Sequence, residues 1–278
     1  MTAHQSGTIG LIGDPVEHSL SPVFQQAAFD ALGLPLTYKL LPTPAGDIPA
    51  RINELRDGTY LGVNVTVPHK ETFFSHVDEC SELARQVGAV NTIAYRDGRL
   101  FGDNTDVHGF VQSLRDADYV FDGSVAIVLG AGGASRAVIV GLLSQNVERI
   151  VLANRTIERA QSVVDSIGDS RIEPVTLLEA LEHAPGASLL VNATSLGWQH
   201  ETLPVDHSVF SRLQDGAIAY DLTYKETRFL AAANEHGVKT VDGFAMLVHQ
   251  GARSFEIWTG REAPLDVMWK AASQARNP

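Results

Sequence analysis

The chain has 278 residues, 44% of them hydrophobic, which suits one large domain or two ordinary ones with full cores. Its 21 basic against 33 acidic residues give a formal charge of −12, which argues against nucleic acid or an anionic membrane as partner but leaves room for a small anionic ligand at a local cationic site. A lone cysteine, Cys80, excludes an intrachain disulfide and a multi-cysteine zinc site.

In chain order, TIGLIG (8–13) reads as a strand, SPVFQQAAFDALG (21–33) as a helix and LTYKLLP (36–42) as a strand. IPARINELRDG (48–58) fits a helix closing on glycine. GVNVTVPHK (62–70) then alternates Asn64 and Thr66 with Val63, Val65 and Val67 before Pro68 ends the ladder and His69 leads to Lys70. Alternation puts the amide and the hydroxyl on one face and the valines on the other. ETFF and SELARQVG read as helical, and NTIAYRDGRLFGDN (91–104) as a hairpin around Asp97-Gly98.

From about residue 124 the rhythm becomes regular. VAIVLG (125–130), RIVLAN (149–154), RIEPVT (171–176), SLLVNA (188–193), AIAYDL (217–222) and VKTVDG (238–243) are strand candidates with helix-compatible spacers. Continuous apolar runs in place of alternation predict strands covered on both faces, as in a parallel sheet. The fold class is therefore α/β with two domains. Residues 1–106 plus 244–278 are expected to form an α/β domain to which the C-terminal helices return, and 107–243 a doubly wound, Rossmann-type parallel sheet. The first twenty residues hold no Lys or Arg and no long apolar run, and no segment approaches the roughly eighteen apolar residues of a membrane span. The expectation is a soluble, cytoplasmic protein.

VLGAGGASRAVIVGLL (128–143) places Gly130, Ala131, Gly132, Gly133 and Ala134 between a strand and a helix, where glycines let the backbone approach a diphosphate at a helix N-terminus. Ser135 falls where a third glycine would stand, so the pattern could also be an ordinary strand–helix turn. The next strand sharpens the reading. An NAD site there ends in an acid that accepts from the ribose hydroxyls; here Asn154, Arg155 and Thr156 follow, with Arg159 about one helical turn on. Arginine pairs with a 2′-phosphate, which a carboxylate would repel, so the cofactor is read as NADP(H).

The first domain supplies hydroxyls, amides and charges at element ends. Ser19 and Ser21 precede a helix that either could simply cap. Asn64, Thr66, Asn91, Thr92, Lys70 and Asp106 include one acid/base pair, Lys70 and Asp106. No H-x-x-x-H pair or carboxylate cluster suggests a metal. His18 and His69 read as packed or solvated, and Trp198, Trp258 and Trp269 as packing residues.

HSLSP, NVTVPHK, AVNT, GDNTD, GAGGASR, NRT..RA, NATSLG and DGFAMLVHQGA together resemble, in order and spacing, the shikimate dehydrogenases, and the resemblance covers essentially the whole chain. It implies reversible, NADPH-dependent reduction of 3-dehydroshikimate to shikimate on the route to aromatic amino acids, in a cleft between a substrate domain and a Rossmann domain. By motif match it implies Ser19, Ser21 and Tyr224 at the substrate carboxylate, and Asn64, Thr66, Asn91 and Gln250 at ring hydroxyls. Lys70 and Asp106 match the catalytic pair, Thr194 belongs to the cofactor set, and Gly243 lies near the nicotinamide. The expected partners are this small molecule and NADP(H), with no nucleic acid and no membrane, for a monomer or homodimer. Three departures stand out: Phe24-Gln25-Gln26 where an apolar residue and His-Asn are expected, Val107 where glycine is frequent, and Glu17 where a small residue is common. The first and third sit beside the paired serines, where they can tune affinity. The alternatives are a quinate/shikimate dehydrogenase using NAD, disfavoured by Ser21 and Arg155; a non-catalytic ligand sensor, disfavoured by the retained Lys70 and Asp106; and a folate-linked dehydrogenase, which would need neither the serines nor the NRT site.

Overall fold

A computed structural model describes residues 7–194, 196 and 202–276. Two compact units account for it: Met1–Gly109 with Val248–Pro278, and Phe110–Leu247. Trp198, Ser195 and Gly197 of the motifs above lie outside the described residues.

In the first unit the chain runs β1 (Gly7–Gly13), α1 (Ser21–Ala31), β2 (Leu36–Pro42), α2 (Ile48–Arg56), β3 (Gly62–Val65), α3 (Lys70–Phe74), β4 (Glu79–Cys80), α4 (Glu82–Val87), β5 (Thr92–Arg96) and β6 (Arg99–Asp103). The six strands form one mixed sheet in the order β2-β1-β3-β5-β6-β4. β1 is parallel to β2 and β3, and β3, β5 and β6 are successively antiparallel. The β5–β6 hairpin turns at Asp97, whose φ of 49° places a short polar residue in the left-handed region that such two-residue turns demand. Ser81 caps α4 by accepting the N–H of Ala84. Ile12, Val63, Val65, Ile93 and Leu100 build the core on one face of this sheet with Leu55 and Phe73.

β3 is shorter than the sequence pattern predicts. It ends at Val65, and Val67 is 64% exposed instead of joining the core with Val63 and Val65. The chain leaves the ladder two residues before Pro68, so Thr66 lies just beyond the strand. Its N–H still reaches Ile12 O at 2.8 Å.

α5 (Thr105–Asp116) begins in the first unit and ends in the second. There follow β7 (Val125–Leu129), α6 (Gly133–Leu143), β8 (Arg149–Asn154), α7 (Ile157–Ile167), β9 (Ile172–Thr176), α8 (Ala180–His183), β10 (Leu189–Asn192), β11 (Ile218–Asp221), α9 (Arg228–Glu235) and β12 (Lys239–Val241). Every pairing in this sheet is parallel and the order is β12-β11-β10-β7-β8-β9, a doubly wound arrangement with its switch point between β7 and β10. Val128, Leu152 and Val191 pack on one face with Phe110 and Leu142, while Leu129, Val151 and Leu190 pack on the other with Phe210 and Phe229. Both faces are dry, which is why these strands carry uninterrupted apolar runs.

The chain leaves the second unit within α10 (Phe244–Thr259), and its later turns belong with α11 (Leu265–Arg276) to the first unit. There Trp258 lies over Gly62 and donates its indole N–H to Ile93 O at 3.0 Å, and Trp269 meets the His249 ring edge-on. No helix among the described residues is long and apolar enough to cross a membrane.

Candidate functional site

Lys70 opens α3 and Asp106 lies in the first turn of α5. Lys70 Nζ donates to Asp106 Oδ2 at 2.6 Å, with the two side chains 20% and 10% exposed. Asp106 Oδ1 accepts from Asn91 Nδ2 at 2.8 Å, so both carboxylate oxygens are held and the ammonium has a fixed counter-charge. The turn that delivers Lys70 is itself anchored. His69 is buried, with Nε2 2.6 Å from Thr43 O, which requires the proton on Nε2.

Behind this pair lies a buried network of amides and hydroxyls. Asn91 Oδ1 accepts the N–H of Thr105 at 2.7 Å and the Thr92 hydroxyl at 3.0 Å, and Asn91 Nδ2 also reaches Gln250 Oε1 at 3.3 Å. Asn64 Oδ1 accepts from the Tyr38 phenol at 2.8 Å, and Asn64 Nδ2 faces Ser254 Oγ at 3.0 Å and Thr92 Oγ1 at 3.1 Å. Ser254 Oγ also stands 2.7 Å from Thr92 Oγ1 and 3.1 Å from Thr105 Oγ1. Burial pushes the Tyr38 phenol far above its ordinary range, so it stays a neutral donor. Asn64, Asn91, Gln250, Lys70 and Asp106 are thus brought together in the first unit. Thr66 makes no side-chain hydrogen bond among the described residues.

Ser19 and Ser21 stand at the start of α1, where Ser19 Oγ accepts the Ser21 N–H at 3.2 Å. One hydroxyl is therefore engaged in shaping the turn, and Ser21 is 4% exposed. Each departure near them has a structural role. Gln25 is fully buried and donates to Gly251 O at 2.8 Å, and its Oε1 has no hydrogen-bond partner among the described residues. Gln26 accepts the Tyr38 N–H at 3.0 Å and donates to Leu36 O at 3.1 Å, pinning the edge strand β2 to α1. Glu17 accepts the Val16 N–H at 3.0 Å, and Val107 is buried.

In the second unit Gly130 follows β7 with φ 101°, and a Cβ there would stand 2.9 Å from Thr194 Cγ2 and 3.2 Å from Ala193 O. Only glycine makes that turn, and it leads through Ala131 and Gly132 to α6, whose first turn has no side-chain cap. Gly133 and Ala134 open the helix, and its free N–H groups fit a diphosphate. Ser135 is tolerated at the third-glycine position because its hydroxyl turns back onto Gly132 O at 2.6 Å. After β8, Asn154 Nδ2 donates to Thr156 O at 2.8 Å and shapes the loop that carries Arg155. Arg155 and Arg159 are exposed, and neither side chain is hydrogen-bonded or ion-paired among the described residues. Thr194 Oγ1 donates to Asn192 Oδ1 at 2.7 Å. Tyr224 is half-buried, which raises its phenol. Gly243 donates to Thr223 O at 3.0 Å, and a Cβ there would stand 2.1 Å from Leu222 O, so no other residue fits.

Three family models match: the shikimate dehydrogenase substrate binding domain over residues 11–93, shikimate / quinate 5-dehydrogenase over 115–204 and the shikimate 5'-dehydrogenase C-terminal domain over 243–272. A shikimate dehydrogenase (NADP(+)) of Geobacillus kaustophilus is 42% identical over 91% of this chain and 92% of its own. The chain belongs to the shikimate dehydrogenase family. Among solved structures, the Thermus thermophilus shikimate 5-dehydrogenase in complex with NADP(H) and shikimate is 38% identical, with a TM-score of 0.86 over 97% of this chain and 99% of that one. The Aquifex aeolicus shikimate dehydrogenase is 34% identical, with a TM-score of 0.89 over the whole of both chains.

Measured against the family motifs, sequence reasoning passed over Tyr38 and Ser254. Tyr38 sits in an alternating edge strand, and Ser254 in an amphipathic helix, with nothing around either to distinguish it from a packing residue. The only local signal is polarity: each is a hydroxyl at a position the helix or strand pattern turns inward.

Proposed function

We propose that this chain, an NADP-dependent oxidoreductase, interconverts 3-dehydroshikimate and shikimate by hydride transfer, with Lys70 and Asp106 as its acid–base pair. The observation that carries this reading is the 2.6 Å Lys70–Asp106 contact, with Asn91 holding the second carboxylate oxygen, in a chain of this family. We assign residues 1–106 with 244–278 to the substrate and 107–243 to NADP(H), in a monomer or homodimer working in the cytoplasm.

Bound NADPH would supply the hydride for the new bond at the ketone carbon. The carbonyl oxygen gains negative charge as that bond forms, and Lys70 donates a proton to it, giving the alcohol. Asp106 steadies the ammonium before transfer and orients it through the fixed carboxylate; in the oxidative direction neutral Lys70 takes the proton back. Positioned proton transfer contributes about 10²–10⁴ in rate, or roughly 3–5 kcal/mol of barrier. Ser19 and Ser21 are assigned to the substrate carboxylate, Asn64, Thr66, Asn91 and Gln250 to its ring hydroxyls, and Tyr224 to a further substrate contact. Gly130–Ala134 receive the diphosphate, Asn154, Arg155, Thr156 and Arg159 the 2′-phosphate end, and Thr194 and Gly243 the nicotinamide half. The cradle at Gly130, which a Cβ would fill, supports a dinucleotide, and the two arginines support NADP(H) over NAD(H).

Initial rates of cofactor reduction with shikimate and with quinate, each with NADP⁺ and NAD⁺, test the reading. Preference for shikimate with NADP⁺ is expected. Preference for quinate or NAD⁺ would overturn the specificity assigned to Ser21 and Arg155. Binding without turnover in all four mixtures would make the protein a ligand sensor.

A further inference from the structure

Asp221 closes β11, is 1% exposed, and has no part in the chemistry above. Its Oδ1 accepts the Thr223 N–H at 3.0 Å, and its Oδ2 accepts from Asn192 Nδ2 at 3.0 Å and Thr227 Oγ1 at 2.9 Å. All three donors are neutral. Burial raises the carboxyl above its ordinary range, against the pull of these hydrogen bonds, and Asp242 pushes the same way. A buried carboxylate with no cation paired to it among the described residues costs stability, so its place calls for a reason.

Its connections supply one. Asn192 Oδ1, on the neighbouring strand end, accepts both the N–H and the hydroxyl of Thr194, at 3.1 and 2.7 Å. Thr223 O accepts the Gly243 N–H, and Tyr224 follows Thr223 directly. Three residues assigned to ligands, Thr194, Tyr224 and Gly243, therefore hang from one carboxylate at the C-terminal edge of a parallel sheet, where doubly wound folds bind dinucleotides. Asparagine cannot replace it without turning its N–H₂ either toward the Thr223 N–H or toward Asn192 Nδ2 and the Thr227 hydroxyl, because only an acceptor-only group receives all three donors.

We propose that Asp221 is a positioning residue for the nicotinamide half of the cofactor, setting the Thr194 turn and the 222–224 loop to which Gly243 is bonded. This rests on the NADP(H) reading above. The test is equilibrium binding of NADPH, followed by its fluorescence, and of 2′,5′-ADP, which carries only the adenosine and phosphate end, to wild type and Asp221→Asn. NADPH affinity is expected to fall on the order of tenfold while 2′,5′-ADP affinity is unchanged. Equal weakening of both ligands would make Asp221 a general structural support and overturn the proposal, as would no change in either. Asp221→Ser, which leaves room for a water beside Thr223 and Asn192, carries the same contrast if the asparagine variant does not fold. Failure of the underlying reading is distinct: wild type itself would then bind NADPH no better than NADH, before any variant is compared.

Discussion

The Lys70 region and the Arg155 region, the two cationic sites of the proposed function, hold their cations in opposite ways. Lys70 is 20% exposed, salt-bridged at 2.6 Å, and backed by Asn91, Thr105, Thr92, Ser254, Asn64 and Tyr38 in one hydrogen-bonded network. Arg155 and Arg159 stand in water with no side-chain partner among the described residues. A group that must meet a developing charge at one atom gains from being fixed beforehand, because the ordering cost is met on folding. A group that receives a whole phosphate can form its bidentate contacts on arrival. The contrast separates rate from affinity: substitutions in the first region should act on kcat, and in the second on cofactor KM.

The largest effect belongs to the first region. Lys70→Ala is expected to lower kcat by about 10²–10⁴ with a smaller change in shikimate KM, since the lost interaction is realised in the transition state. Steady-state kinetics at saturating NADP⁺ would show it. A large rise in KM with kcat intact would reduce Lys70 to a binding residue and dissolve the comparison. In the second region, Arg155→Ala should raise the KM for NADP⁺ roughly ten- to hundredfold, the weight of a charge-assisted hydrogen bond, while leaving the KM for NAD⁺ and the melting temperature in place. Equal losses for both cofactors would show that Arg155 holds the loop and not the 2′-phosphate.

How much of this was legible beforehand follows the same divide. The backbone of the glycine loop and of the NRT segment could be read from sequence because it is local: a left-handed Gly130, a helix start, and an arginine just past a strand. Some element bounds were legible for the same reason, with the Leu36–Pro42 and Arg149–Asn154 strands coinciding with the ranges expected from sequence. The overreach at Val67 arose because alternation continues past the point where the chain leaves the sheet. The network behind Lys70 is another matter. Ser254 meets Asn64 across 190 residues of chain, and Tyr38 meets it across 26. Periodicity reports which face is buried, not which buried hydroxyl faces which amide, so these partners emerge only from the fold.

A smaller effect probes that network directly. Ser254→Ala removes the hydroxyl shared by Asn64, Thr92 and Thr105 and leaves their polar groups short of a partner in a buried site. A cost of about 1–3 kcal/mol in stability is expected, with shikimate KM rising and NADP⁺ KM unchanged. Thermal unfolding and paired KM measurements check it; an unaltered shikimate KM would separate the network from substrate binding.

The smallest effect concerns stability alone, away from both regions. Asp78 Oδ2 accepts the Leu100 N–H at 2.8 Å and its Oδ1 accepts from Arg56 at 3.2 Å. Chiefly through the backbone N–H, and then through Arg56, its carboxyl is held below the ordinary 3.8. A folded-state pKa below the unfolded one means that the ionised form is favoured by folding. The contribution is therefore complete above the unfolded value and is lost as the pH falls through the folded one. Asp78→Asn should lower stability by about 1 kcal/mol near neutral pH, and the difference from wild type should shrink as the pH falls below the ordinary 3.8, where the unfolded carboxylate takes up its proton while the native one is still ionised. Melting curves from neutral to acidic pH read this directly, and a difference constant across that range would assign the effect to shape and not to charge. Activity per folded molecule should be unmoved by the substitution, because this ion pair holds a strand end and contains none of the residues proposed for the chemistry.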